Sequence, residues 1–256
     1  MPGPVLISLK DVDKRFANGV MALQGVQLDV SEREFVSLLG PSGCGKSTVL
    51  RVIAGLESAD AGDVQRLSSA RAETAFVFQD PTLMPWASVF DNVWLPLRLA
   101  RTSRAASADR IREVLRRVGL AGFASAFPAE LSGGMRMRAS IARALVTEPR
   151  LMLMDEPFAA LDEFTRHQLN DDLLSCWQAQ CFAAIFVTHS VLEAVFLSQR
   201  VLVMSQRPGH IVADVRIDEP YPRAAAFRSS PRYHAVCAEL NATLAGLHAD
   251  VDQVVP

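Results

Sequence analysis

Short, almost continuous apolar runs recur along the 256-residue chain: Phe35-Val-Ser-Leu-Leu39, Ala75-Phe-Val-Phe78, Leu151-Met-Leu-Met154 and Phe182-Ala-Ala-Ile-Phe-Val187. Runs this short with so few polar positions predict strands buried in a parallel sheet. Helical spacing falls between them. Ser47 to Ala54 predicts a buried helix, and Ile111, Val114, Leu115 and Val118 repeat at i, i+3, i+4 and i+7, with Ser107 as the expected cap. A helix-compatible run extends from Met135 to Leu145, Leu169, Leu173 and Trp177 share a face, and Ser190 with Glu193 forms a capping-box pattern. Ahead of these, Val5 to Leu9 and Val26 to Val30 predict strands, with Asn18-Gly19 a turn signal between them.

The alternation predicts an α/β core preceded by a small antiparallel sheet. Residues 82–139 depart from it, being rich in large apolar groups but interrupted by prolines, and are expected to form an inserted helical lobe. The expected division is therefore a core of 1–81 and 140–217 that includes the antiparallel β subdomain, the lobe at 82–139, and a tail at 218–256. That tail holds one possible helix and no interpretable motif.

Composition narrows the function classes. Half the residues are hydrophobic and the formal net charge is −2, so the chain can fill a substantial core and offers no global positive field to nucleic acid. No run approaches the ~20 apolar residues of a spanning helix, and Met1-Pro-Gly-Pro-Val5 has no signal-type character, so a protein without a membrane span is expected. Cys44, Cys176, Cys181 and Cys237 form no C-x-x-C pair, which argues against a zinc site or a disulfide framework.

The strand at 35–39 and the helix at 47–54 flank Gly40-Pro41-Ser42-Gly43-Cys44-Gly45-Lys46-Ser47-Thr48, which fits the phosphate-loop pattern G-x-x-x-x-G-K-[ST]. Its three glycines permit a sharp turn with inward N–H groups, and the helix behind adds the positive end of its dipole. Lys46 is suited to β- and γ-phosphates, and the Ser47 hydroxyl to Mg²⁺, whose hard shell prefers oxygen. Cys44, beside Lys46 and a helix N-terminus, is expected to favour thiolate and to react with a maleimide unless Mg-ATP protects it.

Other polar groups stand where such a loop would use them. Gln79 closes the strand at 75–78, and Asp155-Glu156 follows the run at 151–154; open parallel sheets bind ligands at that end. Asp155 is a candidate for Mg²⁺ and Glu156 for polarising an attacking water. His189 ends the strand at 182–187, expected to neighbour 151–154, although a lone His there is more often structural. Leu131-Ser132-Gly133-Gly134-Met135 opens a helix with a second anion-ready N-terminus, a motif that by itself is also a common cap. Phe16, before the Asn18-Gly19 turn, is either a ring packed under the sheet or a platform for adenine, a stacking typically worth ~1–3 kcal/mol.

Taken in order, Gly40 to Thr48, Gln79, Leu131 to Gly134, Asp155-Glu156, Ala160-Leu161-Asp162 and His189 resemble the nucleotide-binding subunit of an ATP-binding cassette (ABC) transporter. The resemblance covers nearly the whole chain. It implies a P-loop NTPase core of RecA-like type and ATP with Mg²⁺ held through Ser47, Gln79 and Asp155. It implies Glu156, His189, Gln79 and Lys46 as catalytic groups. It also implies a head-to-tail dimer in which Ser132, Gly133, Gly134 and Met135 of one copy cover the γ-phosphate bound by the other, with Asp162 at the seam. Partners are then transmembrane permease subunits and, indirectly, a solute-binding receptor, and the subunit would sit peripherally on the cytoplasmic face of the cell membrane. Met135, Met84-Pro85-Trp86 and Met204-Ser-Gln-Arg-Pro-Gly209 are similar to importers of nitrate, sulfonates and taurine; another small nutrient and a soluble cassette ATPase are the alternatives. Arg33 stands where many relatives carry Gly. Trp86 is expected to be an exposed anchor for a transmembrane partner, and Val89 and Val93 to be core.

Overall fold

The computed structural model describes residues 3–66 and 73–252, with side chains to residue 247. In chain order its elements are β1 (Val5–Arg15), β2 (Met21–Ser31), β3 (Phe35–Leu39), α1 (Lys46–Ala54), β4 (Ala61–Arg66), β5 (Thr74–Val77), α2 (Val89–Leu99) and α3 (Arg104–Arg117). They continue with α4 (Gly133–Leu145), β6 (Leu151–Asp155), α5 (Glu163–Gln180), β7 (Ala183–Thr188), α6 (Val191–Leu197), β8 (Arg200–Met204), β9 (Ile211–Arg216) and α7 (Pro231–Asp252). The fold is α/β with an antiparallel β subdomain and a helical insertion. Two compact units divide the chain: Met1–Ser69 with Ala183–Pro256, and Ala70–Phe182. The second is wider than 82–139, because the β5–β6 ladder and α5 belong to it.

In the first unit, β1 pairs antiparallel with β2 and with β4, giving the order β2-β1-β4. Asn18-Gly19 makes the expected turn: Gly19 takes φ +83°, and the Asn18 side chain accepts the Val20 N–H at 3.2 Å. β4 is an addition to the pattern. Its sequence, AGDVQR, buries no residue, so main-chain pairing along β1 is what makes it a strand.

The parallel core of this unit runs β7-β3-β8, and β9 closes it antiparallel. All five residues of β3 and all six of β7 are buried, as continuous apolar runs require. Ser37, the polar residue of β3, is satisfied by a hydroxyl–hydroxyl hydrogen bond to Ser198.

The tail supplies a clamp on α6. The buried Arg223 donates from one nitrogen to the carbonyls of Val195, Phe196 and Ser198 at 2.8–2.9 Å, satisfying the orphan end of that helix. Tyr221 and Phe227 cover its guanidinium at 4.4 and 5.3 Å, and Tyr233 donates to Leu192 O at 2.8 Å.

The second unit pairs β5 with β6 in parallel, Thr74 against Leu151 through Val77 against Met154, and carries α2 to α5. α3 starts one turn earlier than expected: its cap is Ser103, whose Oγ accepts the Ala106 N–H at 3.2 Å. Ser107 lies inside the helix, buried, and donates to Ser103 O at 2.9 Å. Val89 and Val93 are core, both 0% exposed.

At the β2–β3 turn Arg33 is exposed with φ +60°, a left-handed conformation that costs a residue with a Cβ ~1–2 kcal/mol. Glycine takes it freely but gives up some of the gain through greater freedom when unfolded. Arg33→Gly is expected to stabilise the protein by about 0.5–1 kcal/mol and raise Tm by ~1–4 °C in a thermal melt; an unchanged or lower Tm would show that the turn carries no such strain.

Candidate functional site

The phosphate loop is built on the buried end of β3. Gly45 caps α1 with φ +114°, and a Cβ there would come within 2.7 Å of Leu23 Cδ2 and 2.9 Å of Ala22 O, so the loop seats against β2 only as glycine. At Gly40 a Cβ would meet Met204 O at 3.0 Å. Lys46 is buried, and its Nζ donates to Gly40 O and Pro41 O, each at 2.8 Å. The ammonium thus lies in the curve of its own loop, bonded to carbonyls that phosphate oxygens can replace. Ser47 is half-buried and Thr48 buried.

Register brings His189 to this loop. β3 and β7 run parallel with Leu39 opposite Thr188, so Gly40 and His189 are the next residues on neighbouring strands. Thr188 Oγ1 donates to the buried Glu193 carboxylate at 2.5 Å and accepts the Ser190 N–H at 2.9 Å, which fixes the turn carrying the exposed His189. Phe16 is half-buried beside the Asn18-Gly19 turn, with the Lys14 ammonium 6.0 Å from its ring centroid. Its ring is neither sealed in the core nor fully free.

The second unit gathers the remaining residues. With Val77 opposite Met154, Gln79 emerges at the same end of the β5–β6 ladder as the half-buried Asp155 and Glu156. Glu156 has φ +46°, sparsely populated backbone of the kind concentrated at reactive positions. Ser132 caps α4, accepting the Met135 N–H at 3.2 Å. Asp162 caps α5, accepting Thr165 N–H at 2.9 Å and Thr165 Oγ1–H at 2.7 Å, and these bonds hold its carboxyl below the usual range, the backbone one most strongly. The two caps meet. A Cβ on Gly134 would lie 2.6 Å from Thr165 Cγ2 and one on Gly133 3.5 Å from Leu161 Cδ2, so the second glycine is what lets these helix N-termini approach.

Two supporting residues escaped the sequence reading. Arg143, on α4, donates to Pro81 O and Thr82 O at 2.8 Å and to Thr82 Oγ1 at 2.9 Å, anchoring the loop that follows Gln79. Asn92 is fully buried and bonds the Met84 N–H together with the carbonyls of Met84, Ala87 and Ser88, fastening the turn that presents Trp86 at 77% exposure. Neither has a local sequence signal, because the partners are mostly main-chain atoms of loops.

A glycine loop with a buried lysine after a buried strand, and a second anion-ready helix start beside an acid cap, define a nucleoside-triphosphate-binding cassette. The sequence matches the family described as ABC transporter over residues 23–159, and the chain belongs to that family. It is 46% identical over 241 residues to the taurine import ATP-binding protein TauB of Rhizobium johnstonii, covering 90% of this chain and 91% of that one. To the aliphatic sulfonates import ATP-binding protein SsuB 1 of Pseudomonas syringae pv. syringae it is 46% identical over 220 residues, 85% and 88% of the two chains. Among solved structures, a dimeric ATP-binding cassette in a post-hydrolysis state with ADP and Pi is similar at TM-score 0.72 and 31% identity, over 84% of this chain and all of the other. The protein is an ATPase of this family. Among the described residues no helix is long and apolar enough to cross a membrane.

Cys44 does not behave as the sequence suggested. Cys44 is 2% exposed, with Sγ 3.9 Å from Lys46 Nζ, so the thiol that the sequence suggested as reactive is shielded in the structure. Under native conditions a maleimide is therefore expected to label the exposed Cys181 and spare Cys44, with or without Mg-ATP. Peptide mapping checks this; rapid native labelling of Cys44 would contradict the shielding.

Proposed function

We propose that this chain is the ATP-hydrolysing subunit of a membrane importer for sulfonate-type small anions such as taurine, with nitrate-like anions in the same class. The relatives named for taurine and aliphatic sulfonate import, matched over most of both chains, support the substrate class. The observation that carries the dimeric ATPase reading is the second anion-ready N-terminus, Ser132 to Met135, packed on the Asp162 cap of α5. A chain with its own phosphate loop has use for it when it faces the nucleotide of a second copy.

In this reading the main-chain N–H groups of Gly40 to Thr48, with Pro41, Ser42 and Cys44 contributing backbone alone, hold the phosphates. Lys46 exchanges its loop carbonyls for phosphate oxygens, and Phe16 stacks adenine. Ser47, Gln79 and Asp155 each offer a hard oxygen of the kind Mg²⁺ takes, and the ion when bound would supply neutralising charge at the phosphates. Glu156 accepts the proton of the attacking water and His189 steadies the γ-phosphate. Ser132, Gly133, Gly134, Met135 and Asp162 belong to the contact with the second copy.

Transmission to a transmembrane partner is assigned to the surface around Trp86 and to an apolar groove of about 580 Å³ lined by Phe76, Phe78, Leu95, Leu99 and Arg143. A short apolar helix suits such a groove. The subunit then works peripherally on the cytoplasmic face, and a solute-binding receptor selects the cargo outside.

Glu156→Gln is expected to retain ATP affinity, lower turnover ~10²–10⁴-fold and prolong an ATP-bound dimer seen by gel filtration; hydrolysis at the parent rate would remove Glu156 from the role of base. Trp86→Ala is expected to leave the melt and the ATPase rate of the isolated subunit near parent values, while weakening assembly with the permease by ~2 kcal/mol or more and stopping uptake. Unaltered assembly and uptake would rule out the anchor.

A further inference from the structure

The segment Met204 to Gly209 joins β8 to β9 and is docked against the phosphate loop. Gly209 donates its N–H to Ala22 O at 2.9 Å and accepts the Gln24 N–H at 3.0 Å, while Ser205 ties the segment to itself through the His210 N–H at 3.0 Å. A Cβ on Gly209 would lie 2.1 Å from Cys44 O, so main chain runs directly against main chain. From this base Arg207 reaches the loop: its Nε and one terminal nitrogen donate to Gly43 O at 3.1 and 2.8 Å. Gly43 has φ +76°, and Arg207 with Gln206 shares a cavity with Pro41, Ser42, Gly43 and Cys44.

The consequence follows from peptide planarity. In a trans peptide the C=O and N–H point in opposite directions, so a fork that grips Gly43 O from outside aims the Cys44 N–H into the loop. Among the described residues that N–H meets only Pro41 O, at a long 3.4 Å, a bond that a phosphate oxygen improves on. We infer that Arg207 is a positioning residue for nucleotide binding: by holding the Gly43–Cys44 peptide it presets a phosphate-binding N–H before nucleotide arrives. The inference rests on the phosphate loop binding ATP, and extends the machinery to a segment outside the loop. Arg207 is exposed, so its charge alone is screened by salt and contributes little. The grip matters because it is geometric, and a lysine cannot reproduce a two-nitrogen fork.

The test uses the purified full chain, a fluorescent trinitrophenyl-ATP with Mg²⁺ for affinity, and steady-state ATP hydrolysis. Arg207→Ala is expected to raise both Kd and KM about 5–10-fold, the scale of one ordinary hydrogen bond lost to a misaimed N–H, with kcat within twofold and an unchanged melt. Arg207→Lys, which keeps the charge, should remain nearly as weak. Parent-like affinity in Arg207→Ala, or full recovery in Arg207→Lys, would overturn the inference, as would a fall in kcat with KM unmoved. A parent protein that binds no nucleotide would overturn the ATP reading beneath it, a failure visible before any variant is compared.

Discussion

The phosphate loop has to present main-chain N–H groups from a concave surface, and main chain can be brought that close to other main chain only where side chains are missing. Gly45 against Ala22 O, Gly40 against Met204 O and Gly209 against Cys44 O are three instances of one steric constraint. Each lets a strand end or hairpin support the loop from behind. The buried Lys46 then occupies the curve that remains. β3, fully buried and paired on both sides, fixes where the loop begins, and its parallel register with β7 determines which residue of β7 follows alongside. The reactive geometry is thus set by strand register and close backbone approach more than by any side-chain contact.

The same device recurs in the second unit. Gly134 permits α4 and α5 to bring their N-termini together, and each start is closed by its own side-chain cap, Ser132 and Asp162. A helix start whose N–H groups are partly satisfied by a serine hydroxyl, as at Ser132, keeps others free for an anion. Glu156, in left-handed backbone after β6, shows that this unit also carries local strain where chemistry is expected.

Elements driven by burial were legible in the sequence. β3, β5, β6 and β7 are short apolar runs, and the register that places His189 beside Gly40 follows from two of them lying parallel. What the sequence did not show depends on partners distant along the chain. β4 is a strand because β1 offers it a ladder, and α3 begins at Ser103 because that hydroxyl, not that of Ser107, faces the free N–H groups. Cys44 was misread for a related reason: local charge suggested a reactive thiol, while tertiary packing shields it. Asn92 and Arg223 bond carbonyls that no motif can announce, and the tail proved to be a clamp on α6.

Arg143 addresses Pro81 and Thr82 mainly through their carbonyl oxygens, which every amino acid supplies. Substitution at 81 and 82 keeps these carbonyl bonds and forfeits only the one to Thr82 Oγ1, whereas substitution at 143 removes them all. The dependence is one-sided. For recombination between related chains, the helical insertion is then not a free module: a crossover placed between residue 139 and Arg143 would hand the loop after Gln79 to an arginine, or its absence, from the other parent. An exchange that keeps residues 79 to 145 from a single parent carries both ends of the anchor together.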